Sequence, residues 1–128
     1  MTAKIRKFLE ECHPDTPCLV VDLDVVAQRF RDLRRALPRA EIYYAMKANP
    51  AREVVSLLHS LGAYFDTASI YEIEACLDVG VGPDRIAFGN TVKKQRDIVR
   101  AYEYGVRLFA FDSRAELSKL ASAAPGAD

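Results

Sequence analysis

The chain has 128 residues, half of them apolar, and its 18 basic side chains balance 18 acidic ones. That length suits one small domain with a buried core, and the zero net charge provides no field favouring nucleic acid or an acidic membrane surface, so a small-molecule ligand is the better expectation. The opening MTAKIRKFLEECHPDTP has no apolar signal core and no apolar run approaches the roughly 20 residues that span a bilayer; Cys12, Cys18 and Cys76 lack C-x-x-C or metal-ligand spacing, which predicts free thiols in a reducing, cytosolic setting.

Ile5, Phe8 and Leu9 mark a first amphipathic stretch, Pro14 and Pro17 a turn, and Cys18–Val21 a short apolar run that reads as a strand. Asp24 is placed to cap the next helix, in which Val26, Phe30, Leu33 and Leu37 recur at steps of four and three and so share one buried face. Pro38 ends it. Residues 1–40 are thus a helix, a strand and a helix leading into the rest of the chain. From residue 41 onward one plan repeats four times: a short apolar strand, a polar residue, then a helical pattern. The strands are Ile42–Met46, Tyr64–Phe65, Ile86–Phe88 and Leu108–Phe111. Their polar successors Lys47, Asp66, Asn90 and Asp112 are 19, 24 and 22 residues apart, the length of one β-α unit with short loops. Ser69 with Glu72 and Ser113 with Glu116 match the S-x-x-E capping box, and Gly62, Gly80 and Gly105 stand where helices should stop.

Such alternation gives either an open, doubly wound sheet or a closed (β/α)₈ barrel. No G-x-G-x-x-G follows the first strand, which removes the main support for a dinucleotide-binding sheet. A closed barrel takes about 200 residues or more, so residues 41–128 are expected to be the first four units, half a barrel, with SAAPGAD a helix end and loop at a unit boundary. Functional groups of such barrels collect at the C-terminal ends of the strands, where Lys47, Asp66, Asn90 and Asp112 should meet on one rim. Along EIYYAMKAN, alternation puts Tyr43, Ala45 and Lys47 on one face. Ala45 beneath Lys47 leaves room for a flat ring beside the amine, and a lysine in a partly dry site has a lowered pKa that frees its nucleophilic form. A solvated surface lysine fits the same pattern. His13 and His59 have no partner spacing, so no metal site is expected.

The blocks YYAMKANP (43–50), FDTAS (65–69) with Glu72, GNTVK (89–93) and FAFDS (109–113) lie in that order within residues 17–125. Together they resemble the fold-type III pyridoxal-phosphate (PLP) decarboxylases, whose alanine-racemase-like barrel is shared by ornithine, diaminopimelate and arginine decarboxylases. FDTAS and GNTVK are more similar to the ornithine/lysine branch than to the diaminopimelate enzymes. The resemblance implies a PLP-binding (β/α)₈ barrel whose companion, a C-terminal β domain, lies outside this chain. It also implies that Lys47 bonds the cofactor, that Ala45 lines its ring, that Asp66 beside the lysine sets its charge and orientation, and that Glu72 lies near it. From the residues alone, Asp66 reads equally as a helix-start residue, the capping box already accounts for Glu72, and Asn90 and Asp112 read as caps of the helices after them.

The reaction so implied is decarboxylation of a basic amino acid, L-ornithine to putrescine in polyamine biosynthesis, with lysine or diaminopimelate as alternatives. A cytosolic homodimer with active sites at its interface is implied too. The phosphate loop, the acidic partner of the pyridine nitrogen, the acid for the substrate's distal amine and the protonating cysteine are expected beyond residue 128. Two other readings stay open. One is a catalytically silent regulatory relative, as antizyme inhibitor is among ornithine decarboxylase relatives. The other is a small single-domain PLP-binding barrel without decarboxylase activity, disfavoured by the Cys18–Val21 strand, which in the decarboxylases belongs with the second domain.

Overall fold

The computed structural model describes residues 1–128 and divides them into two units, Met1–Pro38 and Arg39–Asp128. In the first, α1 (Ala3–Cys12) and α2 (Leu23–Ala36) are joined by an extended segment. Thr2 Oγ1 accepts the Ile5 N–H at 3.2 Å and donates to Asp22 Oδ2 at 2.8 Å, while Asp22 Oδ1 accepts the Asp24 N–H at 3.1 Å. The cap of α2 is therefore Asp22 and not Asp24: the helix starts at Leu23, so Asp24 falls in the first turn, where its carboxylate pairs with Lys4 at 2.6 Å. The strand expected at Cys18–Val21 is not formed. A strand needs a neighbour to take its backbone hydrogen bonds, and this unit supplies only helices. Leu19 is 83% exposed. Within this unit only Ala27 and Phe30 are buried; the Leu33 and Leu37 half of the expected stripe is open to solvent.

The second unit is a parallel sheet of β1 (Tyr43–Ala45), β2 (Tyr64–Thr67), β3 (Ile86–Phe88) and β4 (Leu108–Phe109), paired in chain order. Its helices are α3 (Arg52–Ser60), α4 (Ile70–Asp78), α5 (Gln95–Glu103) and α6 (Arg114–Ala123). The strand order never reverses, so right-handed crossovers place the connecting helices on one face, whereas a doubly wound sheet has a switch point. Register makes the division visible. Phe65 pairs with Ile86, Thr67 with Phe88, and Phe88 with Phe109; all five are at most 5% exposed and form the core under the helices. The other face carries Tyr43, Ala45, Asp66, Ala87 and Leu108, with Ala45 opposite Asp66, Asp66 opposite Ala87 and Ala87 opposite Leu108. Leu108 is 42% exposed there.

Three of the helices stop in the same way. Gly62, Gly80 and Gly105 have φ of 87°, 89° and 97°, and the residue after each returns its N–H three residues inside the helix end: Ala63 to Leu58 O, Val81 to Cys76 O, Val106 to Ala101 O. This is the Schellman ending, in which glycine takes the left-handed position at no Cβ cost. The residue after the glycine turns inward to begin the next unit, and Ala63, Val81 and Val106 are at most 2% exposed.

Two strands are shorter than expected. β1 stops at Ala45 because Met46–Ala48 tightens into a single 3₁₀ turn with Met46 fully buried. β4 stops at Phe109, although Ala110 still gives its N–H to Phe88 O at 3.1 Å. Asp128 is already set against β4, donating to Arg107 O at 2.8 Å and accepting from the Phe109 N–H at 3.1 Å. The stretch expected as a loop thus ends in a strand-like position beside Leu108. The capping boxes also differ. Glu72 Oε2 accepts the Ala68 N–H at 2.6 Å while Ser69 Oγ accepts the Glu72 N–H, closing the first box one residue before its cap. In the second, Ser113 Oγ accepts the Glu116 N–H at 3.2 Å, but the Glu116 carboxylate turns to another partner.

Candidate functional site at the strand ends

A cavity of about 190 Å³ opens at the C-terminal ends of β1, β2 and β3, lined by Lys47, Asp66, Thr67, Ala68, Glu72, Gly89, Asn90 and Thr91. Lys47 reaches it from the 3₁₀ turn and not from the strand itself. Two anchors hold that turn: Met46 is buried beneath it, and the Tyr44 hydroxyl donates to Asn49 O at 3.1 Å. Asn49 Oδ1 in turn accepts the Ala51 N–H at 3.0 Å, which starts α3 and fixes the exit of the chain. Lys47 is exposed, so the partly dry surroundings expected for it are not supplied by these residues.

Asp66 lies within β2, one residue before its end, on the same face as Ala45 and half-buried. Its carboxylate occupies the space a side chain at position 89 would need: a Cβ on Gly89 would collide with Asp66 Oδ1. Thr67, 1% exposed, points the other way and gives its hydroxyl to Ala87 O at 2.8 Å, while its carbonyl takes the Gly89 N–H at 2.8 Å. These bonds lock the ends of β2 and β3 together. Glu72 lines the cavity with its carboxylate engaged by the Ala68 N–H, so the residue that closes the capping box also borders the cavity. Asn90 is on the wall with Nδ2 donating to Val92 O at 2.9 Å.

Three of the four rim residues expected together, Lys47, Asp66 and Asn90, line this cavity; Asp112 does not. It follows a strand that stops at Phe109 and is exposed. Ala45 is not among the lining residues either; the turn lifts Lys47 off the strand line that would have put Ala45 directly beneath it. Thr67, Ala68, Gly89 and Thr91 were not singled out by sequence, though all lie within the FDTAS and GNTVK blocks. Below the cavity a broader groove of about 430 Å³ runs along the sheet face past Tyr43, Asp66, Ala87, Leu108 and Ala110. No group of three or more His, Cys, Asp or Glu side chains is arranged to hold a metal ion.

One charged cluster escaped the sequence reading. Lys93 and Glu116 form an ion pair at 3.0 Å with side chains 0% and 3% exposed, and Lys119 meets the second carboxylate oxygen at 2.6 Å. Burial pushes the Glu116 carboxyl up, but the hydrogen bonds from Lys119 and Lys93 outweigh it and hold its pKa below the usual glutamate value. Glu116 had a local explanation in its capping box, which concealed a partner 23 residues earlier.

The family described as pyridoxal-dependent decarboxylase, pyridoxal binding domain, matches residues 23–128. The chain is 47% identical over 113 residues to a lysine/ornithine decarboxylase of Selenomonas ruminantium, covering 88% of this chain and 29% of that protein. It is 46% identical over 109 residues to antizyme inhibitor 2 of Xenopus laevis, covering 84% of this chain and 24% of that one. Among solved structures, the arginine decarboxylase of Paramecium bursaria Chlorella virus bound to agmatine matches with a TM-score of 0.89 and 29% identity, over 100% of this chain and 35% of that chain. The chain therefore spans between a quarter and about a third of the length of these relatives.

Proposed function

Because this chain belongs to the pyridoxal-dependent decarboxylases, as the first half of their PLP-binding barrel, we propose that its cavity is the lysine side of the PLP site in a decarboxylase of basic amino acids. The residues present suit the group. A primary amine stands at the mouth, a carboxylate stands within, and the missing Cβ of Gly89 leaves a cradle that Asp66 alone enters. PLP, when bound, supplies the ring that takes up the electron pair left as CO₂ departs.

In this reading Lys47 Nζ would be the nucleophilic amine that holds the cofactor and that product release would need again. Asp66, half-buried on the sheet face, shares the cavity with that amine and would supply the carboxylate that orients it. Glu72 stays clamped to the Ala68 N–H and keeps the first turn of α4 against the cavity. Asn90 and Thr91 form the wall on the β3 side. What supports the reading is the gathering of Lys47, Asp66 and Glu72 around one cavity at the strand ends, in a chain of this family. The test is borohydride reduction with PLP followed by peptide mapping. A pyridoxyl label is expected on Lys47, and a label on any other lysine would overturn the assignment. Lys47→Ala should fold and lose several orders of magnitude in turnover. Lys47→Arg should fail as well, since a guanidinium stays protonated.

For the substrate we favour L-ornithine, with putrescine as product, on the likeness of FDTAS and GNTVK to the ornithine/lysine branch. Turnover of ornithine, lysine and arginine compared on one preparation of the full-length protein decides it, and a preference for lysine or arginine would refute it. The proposed assembly is a cytosolic homodimer. The likeness to antizyme inhibitor 2 favours a second reading, a silent regulatory relative; absence of turnover by the full-length protein with all three substrates would select it.

A further inference from the structure

The turn that brings Asn90 and Thr91 to the cavity sends Lys93 in the opposite direction, into a wholly buried position. Each of its three ammonium hydrogens has an acceptor: Glu116 Oε1 at 3.0 Å, Asn90 O at 2.9 Å and Ala110 O at 2.5 Å. Glu116 is equally engaged. Its Oε1 also accepts the Lys93 N–H at 3.1 Å, its Oε2 meets Lys119, and the Lys119 ammonium reaches on to the Lys93 carbonyl. Replacing a buried ion pair by apolar side chains of similar size is often neutral for stability, so stability is weak ground for its presence. Its geometry has another consequence. One nitrogen joins the carbonyl of a cavity-wall residue, Asn90, to the end of β4 at Ala110 and to the first turn of α6 at Glu116.

We infer that Lys93, held by Glu116, is a positioning residue that fixes the Asn90–Thr91 wall of the cofactor cavity against β4 and α6. The inference rests on the PLP reading of that cavity. Without the ammonium the Asn90 carbonyl loses its tie to Ala110 and Glu116, and the turn is held only at its two ends, by Gly89 N–H to Thr67 O and by the backbone of Lys93 to Glu116 and Lys119, with the Asn90 Nδ2 to Val92 O bond inside it.

The experiment uses the intact protein. Lys93→Met alone leaves a buried carboxylate without its main partner and can prevent folding, so the principal variant is Lys93→Met with Glu116→Leu, apolar on both sides; Lys119, 30% exposed, can turn to water. Amide hydrogen exchange without cofactor and PLP affinity by visible absorbance are read on the same preparation. Residues 89–92 are expected to exchange about tenfold faster while Phe65 and Phe88 keep their protection, and PLP should bind about tenfold more weakly. Lys93→Arg, which keeps the charge but spreads its donors over a plane, should recover part of both effects. Unchanged exchange at 89–92 overturns the inference, as does an increase shared evenly by β2 and β3 or a double variant that does not fold, because the pair would then serve the whole unit. Faster exchange with unchanged PLP affinity overturns the link to the cavity. If the unsubstituted protein takes no PLP at Lys47, the proposed function fails, while the exchange readout still decides whether Lys93 holds the wall.

Discussion

Cys76 is fully buried on the inner face of α4, and burial, aided by the nearby Glu72 charge, pushes its thiol up to about 12; Cys12 and Cys18 are exposed. Thiol titration of the folded protein should therefore count two groups promptly and the third on unfolding, and three at once would mean that the α4 packing opens readily. Glu116 makes a prediction about pH. Its folded pKa is depressed, so the unfolded chain binds its proton more readily, and the stabilisation is present above the ordinary value of 4.5 and lost as pH falls through the folded value. As pH falls from 4.5 through the folded value, urea midpoints of Glu116→Gln should fall less steeply than those of the unsubstituted protein; parallel curves would contradict it. At this scale Lys47 and Asp66 were legible because each follows a short apolar run and sits in a recognisable block. Lys93 was not, since nothing local distinguishes a lysine bound for the interior from one bound for solvent.

Helix boundaries in the second unit followed from local chemistry: serine caps, glycine stops and apolar spacing all act within a few residues. Gly80 isolates the backbone part of that chemistry, because its φ is 89° and a Cβ there would meet nothing within 4 Å. Gly80→Ala should thus cost about 1–2 kcal/mol from the left-handed conformation alone, read from denaturant unfolding, and no loss would mean that the turn finds another conformation. Strand ends were less legible. β1 closes at Ala45 because burying Met46 and bonding Tyr44 to Asn49 O favours a turn over further pairing, and both depend on residues outside the strand. The Cys18–Val21 segment shows the same limit in reverse: apolar residues suited to a strand stay unpaired where no ladder partner exists.

For the molecule as a whole, the second unit presents a sheet face and an adjoining surface with Leu108, Phe111 and Leu117 exposed by 42%, 49% and 46%. In the first unit Leu19, Leu33 and Leu37 are exposed by 83%, 45% and 50%. Apolar surface on that scale favours association, so a polypeptide of residues 1–128 alone should self-associate in light scattering and bind PLP weakly. A stable monomer with stoichiometric cofactor would contradict this. By itself the sequence determined the alternating β/α plan, the helices with their caps and stops, and the strand-end positions of Lys47, Asp66 and Asn90, because these arise from contacts a few residues apart or from a repeating period. Only the tertiary structure decided that Lys47 sits on a turn, that Asp112 and Ala45 stay out of the cavity, and that the Glu116 carboxylate leaves its capping box for Lys93. Those outcomes depend on which groups meet across strands and helices some twenty residues apart, and on which of them burial deprives of water until a partner is found.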